Sequence, residues 1–371
     1  MGRDFFQILP SELTTNILSR LPFRSVAISK CVCKSWLNLL NSDYGKIKPP
    51  PALVCFKRNP PHCTIFEIED KDEADYESHD LHYIPLTDFD IPFRISATEC
   101  TTANGLLLLY SYTNDPVNPV YICNPLTREH ILLCPPKEYT SIKCFTYFEF
   151  GVSEISGQYK VVCLGGIFES MSVHVYTLGT RSWRTVETGA ASGFEFRWDG
   201  RAVCNGNIHW TVDDWVRPFY RICGFDIETE CFSIFSPPPA LHVGGVEELN
   251  LELTVFRDCL CICYTRDYEI NIWLMKEYRV EESWTIEYKL STIDLNNNVN
   301  WLYPIKVFKD GGILMGRYNV LIYYSNKTRT TQQVGIFNDA DAWEYYFTFP
   351  NIFTPVLFSL QSFALENVIS F

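Results

Sequence analysis

Apolar positions keep one period over the first forty residues and another over everything that follows. Leu13, Ile17 and Leu21 recur at i, i+4 and i+8, with Leu18 beside them, so residues 11–20 are predicted to form a helix with one apolar stripe. Pro10 opens it, where a missing N–H costs little, and Pro22 stops it by disfavouring helical geometry at Leu21. A second short helix fits residues 25–29, capped by Ser25. A third, over residues 31–40, places Val32, Trp36, Leu39 and Leu40 at helical spacing. Three such helices enclose little volume, and modules that small ordinarily need metals, disulfides or a partner. The prolines of KIKPPP, residues 46–51, then read as a short stiff spacer, because consecutive prolines favour an extended conformation.

From residue 52 the period falls to two: short runs rich in Val, Ile, Tyr, Phe and Trp alternate with polar residues and break at Gly, Asn, Asp and Pro. These runs repeat. Tight-turn pairs stand at Asn104-Gly105, Ser156-Gly157, Asn205-Gly206, Arg257-Asp258 and Asp310-Gly311, about 50 residues apart. A second landmark is a strand running into a polar turn that ends in Thr: VYICNPLT at Thr127, VHVYTLGT at Thr180, ICGFDIET at Thr229 and LIYYSNKT at Thr328, with a Thr-less copy, INIWLMKEYRVEESW, in the double gap. In several copies a large or β-inclined residue comes three residues beyond the Thr, at His130, Trp183 and Phe232, and Trp284 takes that place in the Thr-less copy. Gly105 to Thr127, Gly157 to Thr180 and Gly206 to Thr229 are 22 or 23 residues apart. Each unit therefore reads as strand A, tight turn, B, long connection, C, Thr turn, D, long connection.

Five units fill residues 95–337. Strands near 52–56, 64–68 and 81–86 make a sixth, which a strand at 356–360 is expected to complete by pairing chain start with chain end. The expected fold is multidomain, α plus all-β: a small three-helix module over 1–45, the spacer over 46–51, and a β-propeller of about six blades over 52–371, with short protected edges. The two tight turns of each unit share one face, so the long connections share the other. Those connections, at residues 112–118, 134–142, 166–172, 188–196, 212–219, 236–248 and 264–269, are the binding candidates. Tyr139, Phe168, Trp215, Arg217, Phe219 and Arg266 within them are residue types that dominate protein interfaces.

Charge narrows the class of partner. The chain carries a net −13, but residues 1–48 hold seven basic side chains against three acids, leaving the rest near −17. An acidic body argues against nucleic acid, whose recognition leans on phosphate neutralisation by Lys and Arg, whereas a basic helical module suits an acidic protein. No apolar run reaches the eighteen or so residues of a membrane helix, and MGRDFFQILP lacks a signal peptide's layout, so a cytoplasmic or nuclear location is expected, without membrane attachment. Fifteen cysteines at strand-like spacings read as reduced, mostly buried thiols.

Leu9-Pro10, Leu13, Ile17, Leu18, Leu21-Pro22, Ser25 and then Cys31-Val32-Cys33-Lys34-Ser35-Trp36 resemble an F-box over residues 5–41. Where family members often carry an apolar pair with Arg after the Ser, this chain has Val26-Ala27-Ile28-Ser29. Residues 52–371 resemble the kelch-like F-box-associated interaction domain of plant F-box proteins; glycine pairs stand at Gly165-Gly166, Gly244-Gly245 and Gly311-Gly312, though not in every unit. The resemblance implies an adaptor rather than an enzyme. Leu9, Pro10, Ile17, Leu18, Leu21, Pro22, Val26 and Trp36 would bind or support a Skp-family adaptor and, through it, the cullin and RING subunits of an SCF-type ubiquitin ligase. The propeller would hold a protein substrate, with no cofactor.

Residue-level chemistry points the same way. Cys259, Cys261 and Cys263 alternate along one strand, which suits packing better than the wider thiol spacing of zinc sites. His209 sits on a predicted strand, and Asp213-Asp214 are neighbours whose side chains diverge. No phosphate loop, nucleophile elbow, HExxH or dinucleotide fingerprint occurs. The acidic run 67–80 reads as a solvated loop. Two rivals stay open: a propeller enzyme with convergent acids, arginines or metal ligands at its channel mouth, and a scaffold whose partners are not degraded.

Overall fold

A computed structural model describes residues 9–18, 20–21, 23–42, 51–57, 61–69, 83–91, 98–111, 119–136, 145–167, 170–214, 220–241, 251–266, 268–292, 301–317, 320–334 and 351–371. Among them, three helices precede twenty-five strands in six antiparallel sheets. The spacer, apart from Pro51, and residues 70–80 of the acidic run lie outside the described residues.

Helix α1 spans Ser11–Leu18, α2 Phe23–Ser29 and α3 Lys34–Ser42. The carbonyl of Pro10 accepts the N–H groups of Leu13 and Thr14, both at 3.1 Å, so the proline fixes the start of α1 as its position predicts. Each helix differs at an edge from the pattern reading. α1 ends two residues before Arg20, because Arg20 and Leu21 bond three residues back, to Ile17 and Leu18, in a tighter turn. α2 opens at Phe23 rather than at a Ser25 cap; the Phe23 N–H finds its acceptor outside the helix altogether. α3 starts three residues late, after a turn through Lys30–Val32, and Cys33 Sγ accepts the Trp36 N–H at 3.5 Å.

The sheets are the blades of a six-bladed propeller. Blade 1 runs from its inner strand Asn351–Phe353 through Ala52–Lys57 and His62–Ile68 to Tyr83–Asp90. Blades 2 to 6 occupy residues 98–133, 145–186, 194–235, 251–291 and 303–334, and Val368–Ser370 adds an outer fifth strand to blade 2. Every seam between neighbouring blades holds its own apolar cluster, including that between blades 6 and 1, where Phe308, Leu314 and Tyr323 meet Leu53, Phe66 and Ile68. The ring is closed by chain end on chain start, as expected.

The closing strand is not the expected one. Residues 356–360 form no strand: Val356 and Leu360 are buried, Leu360 opens a short 3-10 helix, and Asn124 Nδ2 donates to the carbonyls of Val356 at 3.3 Å and Phe358 at 2.8 Å. They begin a strap that crosses blades 2 and 3. Glu129 accepts from Ser359 and from the Leu360 N–H, and Glu366 accepts from the Tyr176 hydroxyl and the Gly179 N–H. Gly105 is required beneath it, since φ is +81° and a Cβ would lie 2.0 Å from Val356 Cγ2.

The two sequence landmarks have one physical cause, left-handed backbone. Asn104-Gly105, Asn205-Gly206 and Arg257-Asp258 have positive φ at both turn positions, as tight hairpins need; so do Gly157 and Gly311. In the Thr turns the residue after Thr is left-handed every time: Arg128, Arg181, Glu230 and Arg329, with Arg279 in the Thr-less copy. Asn124, Asp226 and Ser325, three residues before their Thr, accept its N–H. Three of these left-handed residues reach the preceding blade. Arg128 donates to Thr87 Oγ1 and the Asp88 carbonyl and stacks on Phe89, Arg279 donates to Asn207, and Glu230 accepts from Lys160 and Arg184. Burial raises the Glu230 carboxyl, but these two donors outweigh it and hold its pKa below the ordinary value.

Candidate functional site

Among the described residues, the apolar cluster of the helical module is Leu18, Val26 and Leu40, with Leu21, Trp36 and Leu39 packed around them. Outside this cluster Leu13, Ile17, Ile28, Val32 and Leu37 are 52, 50, 60, 61 and 38% exposed. Leu13 and Ile17 lie one turn apart on α1, and Ile28 and Val32 are likewise four residues apart, at the end of α2 and in the turn after it. The stripe read from the sequence is therefore not sealed against the propeller. Five large apolar side chains left in water on so small a module point to an interaction surface.

The eight residues assigned to adaptor binding divide by place. Leu18 and Val26 are buried and support the module from within, joined by the half-buried Leu21 and Trp36. Ile17 and Pro10 are exposed, and Leu9 is half-buried just before α1. Pro22 lies outside the described residues. Pattern reading left Leu13, Ile28, Val32 and Leu37 out of the contact set, although the spacing of four between Ile28 and Val32 repeats that of Leu13 and Ile17.

Among the described residues a buried hydrogen bond joins the module to the propeller, from the Phe23 N–H to Glu67 Oε1 at 2.9 Å. Glu67 pairs with Ala52, which pairs with Phe353, at the end of blade 1 from which the strap departs. That end belongs to the tight-turn face, since the strap's Val356 lies against the Gly105 turn. Helices and strap thus share one face, and the long connections lie on the opposite one.

On that opposite face Arg266 is exposed, two residues before Tyr268, which is exposed too and was not singled out from the sequence. Tyr139, Phe168, Trp215, Arg217 and Phe219 lie outside the described residues. Two of the expected loops shrink to two residues: those between strands Tyr159–Ile167 and Ser170–Thr177 and between Cys259–Arg266 and Glu269–Met275.

Groups with catalytic potential are engaged in structure. His209 is fully buried; Nδ1 donates to the Ala202 carbonyl at 3.2 Å, so Nε2 accepts from the Tyr278 hydroxyl at 2.8 Å. Burial pushes this histidine down to about 4, keeping it neutral. Cys261 and Cys263 are buried in the seam between blades 5 and 6, with Cys259 packed beside them. Asp213 pairs with Glu195 and Asp214 with Phe194, so the two carboxylates face opposite sides of their strand. Arg201 on an inner strand meets Glu149 at 3.3 Å. Among the described residues no group of three or more His, Cys, Asp and Glu is placed to hold a metal, and no helix is long and apolar enough to cross a membrane.

Comparison with known proteins matches residues 6–48 to the F-box domain and residues 65–355 to the F-box associated beta propeller domain. Similar chains in Arabidopsis thaliana include the F-box protein At3g07870, 28% identical over 76% of this chain and 73% of the relative, and the F-box protein CPR1, 24% identical over 81% and 78%. An F-box/kelch-repeat protein of the same plant is 24% identical over 75% of this chain and 78% of its own.

Proposed function

We propose that this chain, which belongs to the F-box proteins carrying an F-box associated beta propeller domain, is the substrate-recognition subunit of an SCF-type E3 ubiquitin ligase. The observation that carries the reading is that Leu13, Ile17, Ile28, Val32 and Leu37 stand exposed on a module whose own sealed apolar cluster has three members. A Skp-family adaptor would cover it, with Leu9 and Pro10 at its edge and Leu18, Leu21, Val26 and Trp36 holding the helices that present it. Pro22, at the junction of α1 and α2, belongs to the same set. Cullin and RING subunits join through the adaptor.

The propeller holds a protein substrate on the face of the long connections, because the opposite face already carries the F-box and the strap. Arg266 and Tyr268 belong to that surface, as do Tyr139, Phe168, Trp215, Arg217 and Phe219. The chain itself catalyses nothing in this reading; it raises the local concentration of substrate lysines near the charged conjugating enzyme. It works in the cytoplasm or nucleus, without nucleic acid or membrane.

Affinity capture followed by mass spectrometry, using the full chain and a chain lacking residues 1–48, tests this. The full chain is expected to bring down adaptor, cullin and RING subunits, and the truncated chain only substrates. Proteasome inhibition should enrich those substrates, with added ubiquitin, for the full chain alone. Partners that neither accumulate nor gain ubiquitin would identify a non-degradative scaffold, and absence of the adaptor would refute the assignment.

A further inference from the structure

We infer that Glu67 is a positioning residue, which seats the F-box on the ring-closing blade in one orientation by accepting the Phe23 amide hydrogen. Three observations converge on it. The bond is 2.9 Å long and spans 44 residues of sequence between the two regions. Both partners are sealed, Phe23 at 3% exposure and Glu67 at 4%, yet Phe23 stands outside the cluster of Leu18, Val26 and Leu40 that holds the three helices together. Its backbone amide is thus tied outside the module. Glu67 also stands opposite Ala52, where the chain passes from spacer to ring. A chain attached at Ala52 alone leaves the module free to swivel; a buried bond beside that point removes the freedom.

Among the described residues, the hydrogen bond that the Glu67 carboxylate accepts comes from the helical module and not from blade 1. It sits on a strand whose neighbours Ile65, Phe66 and Ile68 are core, and burying a charge there is costly unless donors compensate. Burial pushes its pKa up, opposed by the Phe23 N–H and by Lys306 of blade 6, whose Nζ donates to the Ile68 carbonyl at 2.7 Å. Module, blade 1 and blade 6 thus meet at one point of the ring seam. The functional consequence rests on the reading above: the substrate face would lie at a fixed distance and direction from the ligase core. The contact itself does not depend on that reading.

Amide hydrogen exchange on the unmodified full chain tests the contact directly. Phe23 opens a helix and has no acceptor within it, so its amide would ordinarily exchange near the intrinsic rate. The latch predicts exchange slower by at least about 100-fold, and exchange at the intrinsic rate would overturn it. A second measurement addresses orientation, through spin-label distances between position 34 on α3 and position 155 on blade 3. Glu67→Ala should broaden the distance distribution at least about twofold, and Glu67→Gln, which keeps the acceptor oxygen, should restore it. An unchanged distribution in a folded Glu67→Ala chain would also overturn the proposal. Should that variant fail to fold, the exchange result on the unmodified chain decides. A protected Phe23 amide in a chain that captures no adaptor would leave the latch standing and sink only the ligase assignment.

Discussion

In the ring, each pair of neighbouring blades shares a cluster of nine or more buried residues, and the chain's last segment is used to seal the start. In the helical module the cluster has three sealed members, while five large apolar side chains stand in water. One region finishes its core from its own residues, by repetition and closure. The other leaves part of its apolar surface open, where the proposed adaptor would lie. The difference follows from size: a short helical segment cannot surround its own apolar face, whereas six stacked blades bury both faces of every sheet.

The largest test of the ring's self-sufficiency is removal of the strap. A chain ending at Pro355 loses the buried Val356 and Leu360, the bonds of Glu366 to Tyr176 and Gly179, and the outer strand Val368–Ser370. The expected cost is about 5 kcal/mol or more, seen as a thermal midpoint lower by about 10 °C. An unchanged midpoint would mean that ring closure needs only the strand Asn351–Phe353.

On the other side of the comparison, Trp36→Ala strips the half-buried ring from the Leu18, Val26 and Leu40 cluster. About 3 kcal/mol should be lost from the helices alone, read as faster amide exchange in α1–α3 with the propeller's exchange unaltered. Equal loosening of both regions would show that they fold as one unit.

The smallest effect sharpens how the ring tolerates a buried polar group. His209 is neutral in the folded chain, with a pKa of about 4, so between about pH 6.5 and 4 the unfolded chain binds a proton that the folded one excludes. Stability therefore falls as pH drops through that window. Urea unfolding should show about 2 kcal/mol more loss between pH 6.5 and 5 in the unmodified chain than in His209→Gln. Parallel pH profiles would show that His209 charges in place.

What the sequence disclosed tracks what is local. The α1 stripe, the tight turns at Gly105, Gly157, Gly206, Asp258 and Gly311, and the Thr turns are written in short-range patterns, and each reappears in the backbone. The role of the residue after Thr was hidden, because only positive φ and the reach of Arg128, Glu230 and Arg279 to a neighbouring blade reveal it. The run at residues 356–360 reads as a closing strand, but Asn124, more than 230 residues earlier, takes a strand's place as its partner, and Leu360 turns into a 3-10 helix. The start of α2 was misplaced for the same reason: the acceptor of Phe23 is Glu67, beyond any local window. For the candidate site, composition named the right module. Which of its apolar residues face inward required the three helices to be packed.

The most direct measurement is a binding titration of the full chain against a purified Skp-family adaptor, with Leu13→Asp/Ile17→Asp as the comparison. Both residues are half exposed on α1 and stand outside the cluster of Leu18, Val26 and Leu40. The account predicts an affinity lower by at least about 100-fold, with the ring's unfolding midpoint unmoved. Equal affinity for the two chains would show that the adaptor does not cover this stripe.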